Sequence, residues 1–216
     1  MTKRIVFIVE GDCEVTLINK IVIPYLYSKE AAIGWSFNVQ KITTNRRCNA
    51  KGGIPSFEYL RNEILRVNAQ GTPYITTFLD FFRLPSDFPS YTTECCRIDT
   101  IEESVKNVLF IPNLIPYIQK HEFETLLFSN VSAFDIILDS PKQLQQIADI
   151  VAQYPNIEDI NGGPDSAPSK RLANIFPYNK TFHSSLLLEL ITIDDIMQHC
   201  PRFAAWIKKL EVLLHV

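Results

Sequence analysis

The chain has 216 residues, enough for one sizeable core and short for two independent domains. Hydrophobic residues make up 46% and charged residues 21%, an ordinary globular balance that sets disorder aside as the default. The net charge is -3, so no global field steers the chain onto nucleic acid, and contact with DNA or RNA would need a local basic patch or a partner.

The five cysteines, Cys13, Cys48, Cys95, Cys96 and Cys200, are odd in number and form no CxxC pair. A disulfide framework or zinc site is not expected, and a reducing, cytoplasmic setting is the simpler reading. The opening MTKRIVFIVEGDCE has too short an apolar core for a signal peptide. No apolar run approaches the roughly 18 residues that a membrane span needs, so no membrane association is expected.

Ile5 to Val9 is a continuous β-branched and aromatic run, as in a strand buried on both faces of a parallel sheet. Gly11 breaks it, and Glu14 to Tyr27 then carries Leu17, Ile18, Ile21, Val22 and Tyr25 at helical spacing until Pro24 ends or kinks the helix. Trp35 to Thr43 alternates like a second strand. Thr44 to Ile54 reads as a polar loop with Arg46, Arg47, Lys51 and the pair Gly52-Gly53. A helix is predicted over 56–68, a strand over 74–79 with Asp80 at its end, and a helix over 98–108. A short strand near 116–118 leads into His121-Glu122-Phe123-Glu124. Further helices are predicted from 123, over 141–154, and in the C-terminal part, clearest at 191–197 and 203–214. Phe203, Trp206 and Leu210 form a core stripe there.

Strands that alternate with helices predict an α/β fold, a mainly parallel central sheet flanked by helices. The expected organisation is a single domain over 1–216 with a helical extension over about 141–216.

Three strand-like segments end in acids: Glu10, Asp80, and the pair His121-Glu122. Ligands of open parallel sheets gather outside the strands' carboxyl ends, so acids distant in sequence converge there. A hard divalent cation takes carboxylates, water and substrate phosphate as ligands, and a remaining carboxylate serves as general acid or base. Turns also favour acids, so each acid alone is equally a sheet-end polar residue. The turn Glu10-Gly11-Asp12 matches neither GxxxxGK[ST] nor GxGxxG.

Lys51 and its basic neighbours form either a phosphate-backbone grip or a solvated loop. Ser169, Lys170 and Arg171 follow Pro168, giving either a phosphate seat at a helix N-terminus or a capped helix with surface cations. His121 is a ligand, a proton shuttle or a structural histidine.

Several blocks together resemble a bacterial family grouped with Toprim-like domains. They are Val9 to Glu14 (VEGDCE), Lys51-Gly52-Gly53, Thr77 to Asp80 followed by Leu84-Pro85, and Pro116 to Glu124 (PYIQKHEFE) with Leu126 to Phe128. Ile160 to Pro164, Ala167 to Arg171 (APSKR) and Cys200-Pro201 with Trp206 complete them. The match runs in order from about residue 4 to residue 210, and the HEFE and PSKR blocks are the most specific. Toprim domains occur in topoisomerases, primases and nucleases of the overcoming-lysogenization-defect type. The resemblance implies a Mg²⁺- or Mn²⁺-dependent nuclease with Glu10 as general acid/base. It implies Asp80 as the first member of the metal-holding pair, and with the strand-end acids it gives Asp80 and Glu122 as catalytic metal ligands, with Glu10 also at the metal and Glu14 or Glu124 assisting. It also implies an ABC-type or related ATPase partner encoded nearby, nucleic acid as a second partner, and a role in anti-phage defence; whether the chain forms a homo-oligomer is left open by the sequence.

The chain departs from the family where Toprim's Asp-x-Asp is replaced by Asp80-Phe81-Phe82, so Glu122 or Glu124 would have to supply the missing carboxylate. Phe81-Phe82-Arg83 also stands where relatives carry Tyr-Tyr-Gly. The alternative is a non-catalytic regulatory or adaptor subunit that keeps the fold.

Overall fold

The computed structural model describes residues 3–42, 53–161, 163 and 165–216. The predicted basic loop with Arg46, Arg47 and Lys51 lies outside the described residues.

Strand β1 (Lys3–Val9) is the middle of the sheet and is buried on both faces. Ile5, Phe7 and Val9 enter one core, while Val6 and Ile8 enter the other. That period of two is why the run is apolar without alternation. The sheet order is β2 (Trp35–Lys41), β1, β3 (Tyr74–Asp80), β4 (Leu114–Ile115), with β5 (Ile118–Gln119) also beside β3, and every pairing is parallel. The fold is therefore α/β, a parallel central sheet flanked by helices. The chain leaves β1 to one side for β2 and crosses to the other for β3. The order thus reverses at β1, and a crevice opens at the carboxyl ends of β1 and β3.

Helix α1 (Asp12–Leu17) runs through a π-helical turn, Ile18–Val22, into α2 (Ile23–Tyr27). The break predicted at Pro24 takes this form: proline has no N–H for the bond back to Lys20, and the widened turn sits immediately before it. Helix α3 (Phe57–Asn68) is capped by the Ser56 side chain, which accepts from the Tyr59 N–H. Helix α4 (Ile98–Leu109) buries Ile98, Ile101, Glu102, Val105 and Leu109 along one face. Both cover the Val6/Ile8 face.

The other face is covered by α1, α2 and the C-terminal part. That part comprises the 3₁₀ segments Phe123–Ser129 and Val131–Ile136 and helices α5 (Pro141–Ala152), α6 (Pro168–Ile175), α7 (Lys180–Leu187), α8 (Ile193–His199) and α9 (Pro201–Leu214). The predicted stripe of α9 is core. Trp206 stacks on Tyr117 at 4.6 Å between ring centroids and meets Phe7 and Phe78 edge-on. Its indole N–H donates to Thr76 Oγ1 at 2.8 Å. Among the described residues no helix is long and apolar enough to cross a membrane.

The strand predicted near 116–118 is split by Pro116 into β4 and β5. Thr77 bridges the gap: its hydroxyl accepts from the Tyr117 N–H and donates to the Tyr117 carbonyl, both at 2.9 Å. Thr77 is 1% exposed, so water cannot replace it. Thr77→Val keeps the shape and orphans two buried backbone groups. We expect it to lower unfolding free energy by about 2–4 kcal/mol in denaturant titrations.

Candidate functional site

The crevice at the ends of β1 and β3 is lined by carboxylates. Val9 pairs in register with Phe78, so Glu10, one residue past Val9, lies beside the end of β3. The Asp80 N–H donates to Glu10 Oε2 at 3.3 Å. Gly11 follows in an extended conformation and starts α1. A Cβ at Gly11 would come within 2.8 Å of Glu14 Oε2, so the glycine is what lets Glu14 fold back over the turn. Glu14 is 2% exposed and Asp80 8%.

Glu124 completes the group from the 3₁₀ segment after β5. It is 1% exposed. The Tyr178 hydroxyl faces its Oε1 at 3.5 Å, and Lys180 donates to its Oε2 at 3.2 Å. The same ammonium lies 3.7 Å from Asp80 Oδ2 and 3.8 Å from Glu14 Oε1. One lysine thus faces carboxylates brought by α1, β3 and the 123–129 segment. Asp80 Oδ1 is buried with no hydrogen-bond partner.

These groups pay an electrostatic penalty that moves their pKa values. Burial, and then the charge of Glu14, push Glu10 up to about 7, against the opposing Asp80 N–H and Lys180. Burial raises Asp80 well above the usual carboxylate range; Lys180 opposes this, and the charges of Glu14, Glu10 and Glu124 add to it. Burial raises Glu124 too. For Lys180, burial alone would lower the pKa, and Asp80, Glu124 and Glu14 outweigh it and raise the value.

The other predicted residues lie elsewhere. Both carboxylate oxygens of Glu122 are engaged by Ser169, through its N–H at 3.0 Å and its hydroxyl at 3.1 Å. Glu122 therefore fastens the start of α6, and the carboxylate beside Asp80 and Lys180 is that of Glu124. Ser169 has its two donors turned to that carboxylate. Lys170 is exposed on α6. Arg171 donates to the Ser166 carbonyl and the Tyr154 hydroxyl, both at 2.8 Å, tying the preceding loop to the end of α5. His121 has a left-handed backbone, φ 63°, and its Nδ1 faces the Asn161 amide at 3.0 Å. Burial, then Lys120, lower its pKa to about 4, so it is neutral near pH 7. Lys51 lies outside the described residues.

Lys180 was not among the predicted residues. One signal marks it in the sequence: it follows the N-cap Asn179, at the first position of α7, where the helix dipole disfavours a cation. A lysine there needs carboxylates from elsewhere.

Fold and site together define an α/β protein with an acidic crevice at the switch point of a parallel sheet. The chain belongs to the family described as a domain of unknown function (DUF4276), whose model matches residues 9–211. No curated protein matches it. Among solved structures it is similar to the C-terminal region of the OLD protein of Xanthomonas campestris pv. campestris. The identity is 14%, with 99% of this chain and 98% of that chain covered, at a TM-score of 0.48.

A folded-state pKa above the unfolded value means that the native state holds the extra proton, and stability is lost as pH rises between the two values. For Glu10 this window runs from 4.5 to about 7. Thermal unfolding in chelator should therefore show a Glu10 share of destabilisation between about pH 5 and about pH 7. Glu10→Gln should flatten the melting temperature against pH over that window; an unchanged slope would refute the shift.

Proposed function

We propose that this chain is a Mg²⁺- or Mn²⁺-dependent nuclease of Toprim-like type, acting with an ABC-type or related ATPase in bacterial anti-phage defence. The observation that carries the metal chemistry is the convergence of Glu10, Glu14, Asp80 and Glu124 at the carboxyl edge of β1 and β3. Nucleic acid as substrate, the ATPase, the defence role and a cytoplasmic location are supported by the sequence resemblance to Toprim-like proteins.

The residues fit a hard divalent cation by chemistry. All the donors are carboxylate oxygens, their charge exceeds that of Lys180, and Asp80 Oδ1 is buried without a partner. Among the described residues, no three His, Cys, Asp or Glu side chains stand in ligating positions, because the carboxylates are spaced around the ammonium. Asp80, Glu14 and Glu124 would hold the ion, with Glu10 at its edge. A bound divalent ion supplies Lewis acidity and neutralises phosphate charge.

Glu10 is the acid/base group in this reading. Without an ion, a pKa raised to about 7 lets Glu10 hold a proton near neutral pH, and a bound divalent ion would favour its carboxylate form. Its Oε2 is engaged by the Asp80 N–H, so Oε1 is the oxygen that takes or gives the proton. Gly53 borders that oxygen: a Cβ there would sit 3.4 Å from Oε1, and φ is +99°. Glu122 acts indirectly, by fixing Ser169 and α6.

Purified chain, alone and with the neighbouring ATPase, should cut nucleic acid in Mn²⁺ or Mg²⁺. Glu10→Gln and Asp80→Asn should each slow cutting by about 10²-fold or more. Undiminished cutting by both variants overturns the assignment.

A second reading, a non-catalytic adaptor, is favoured by the ion pairing of Lys180 with three of the carboxylates and by the lack of a second acid after Asp80. It predicts ATPase binding without cleavage, unaffected by Glu10→Gln.

A further inference from the structure

The Lys180 ammonium contacts Glu14, Asp80 and Glu124, yet only Glu124 Oε2, at 3.2 Å, is within hydrogen-bond reach; the other two oxygens stand at 3.7 and 3.8 Å. The lysine side chain is 42% exposed, against 3%, 10% and 1% for those carboxylates. The buried carboxylates are thus reached by an ammonium whose own side chain is partly exposed. The ammonium leaves the group under-neutralised: Asp80 Oδ1 is buried without a partner.

Lys180 is held there by these carboxylates against two opposing effects. Burial penalises its charge, and its place at the first residue of α7 sets it against the helix dipole. Its release costs the backbone nothing. The α7 cap is made by Asn179, whose side chain accepts from the Phe182 N–H at 3.0 Å and whose own N–H donates to His183 Nδ1 at 2.8 Å. A lysine stem rotates freely, and the ammonium is well hydrated once it faces water.

We propose that Lys180 competes with a divalent cation for this carboxylate group. The ammonium offsets part of the charge of Glu14, Asp80 and Glu124, and it swings into solvent when the ion enters. The inference rests on the metal-site reading above and adds a built-in competitor that sets how tightly the ion is held. The ion would enter only by displacing the ammonium, so removing the ammonium should tighten binding.

Mn²⁺ titration calorimetry at fixed ionic strength tests this on the full chain. Lys180→Met should bind Mn²⁺ at least about tenfold more tightly than the wild type, and Asp80→Asn should lose binding. A second arm needs no variant. Amine acylation of the wild type, read by peptide mass spectrometry, should label Lys180 more in Mn²⁺ than in chelator, with exposed Lys142 unchanged.

If the wild type binds Mn²⁺ while Lys180→Met binds no tighter and Lys180 labelling is unchanged, this inference falls and the metal site stands. If neither protein binds Mn²⁺, both fall. Should Lys180→Met not fold, the acylation arm decides: labelling that ignores Mn²⁺ overturns the proposal.

Discussion

The parallel pairing of β1 with β3 is the constraint on which the site depends. It aligns Val9 with Phe78 and brings Glu10 against the Asp80 N–H. Two carboxylates separated by seventy residues of chain become neighbours through backbone hydrogen bonding. The pairing is held in register because both strands put apolar side chains into both cores: β1 places Ile5, Phe7 and Val9 in one and Val6 and Ile8 in the other, and β3 divides Phe78 from Ile75 and Leu79 in the same way. A slip of one residue would exchange the faces, so the register resists it. Glu10 is the first residue beyond β1, and Asp80 is the last residue of β3.

Holding acids together in that place is electrostatically unfavourable. Glu10, Asp80 and Glu124 all have raised pKa values, with burial as the leading cause. Buried ion pairs seldom stabilise a fold relative to well-packed apolar residues. Lys180 relieves the repulsion without satisfying every oxygen, as the orphaned Asp80 Oδ1 shows. An arrangement that costs stability, in the crevice where parallel sheets take their ligands, marks these residues as a candidate functional site.

Much of the fold was legible because its signals are local. The unbroken apolar run before Glu10 marked a doubly covered strand, and the strand-helix alternation marked a parallel sheet. Of the site, Glu10 and Asp80 were legible from their places at the ends of β1 and β3, and Glu14 entered with the family pattern. The division of labour between Glu122 and Glu124 was not. The two are two residues apart in an irregular turn, and the 3₁₀ segment that follows sends them to different partners, Ser169 and Lys180. That outcome depends on α6 and α7, more than forty residues downstream. Lys180 was hidden for the same reason: its ion pairs are all long-range, and only its unfavourable place at a helix start betrays it locally. The bridging hydroxyl of Thr77 shows the same limit, since Pro116 announces a broken strand without saying what repairs it.

A second buried acidic group in the molecule shows that burial alone does not make a site. Glu102 is pushed up to about 7, chiefly by burial, just as Glu10 is. Its Oε1, however, accepts from the Ile118 N–H and from Arg202, both inside 3 Å. Glu158, fully buried, accepts from the Arg202 and Phe203 N–H groups at the start of α9. These carboxylates are matched by donors that the fold itself supplies, and they brace α4, β5 and α9. Around Asp80 the matching is incomplete: a single ammonium, that of Lys180, is shared among three carboxylates, and one oxygen is left over. The two groups share burial and charge sign, so what separates them is the supply of donors. The deficit lies at the edge of β1 and β3, the carboxyl end of the sheet, where open parallel sheets take their ligands.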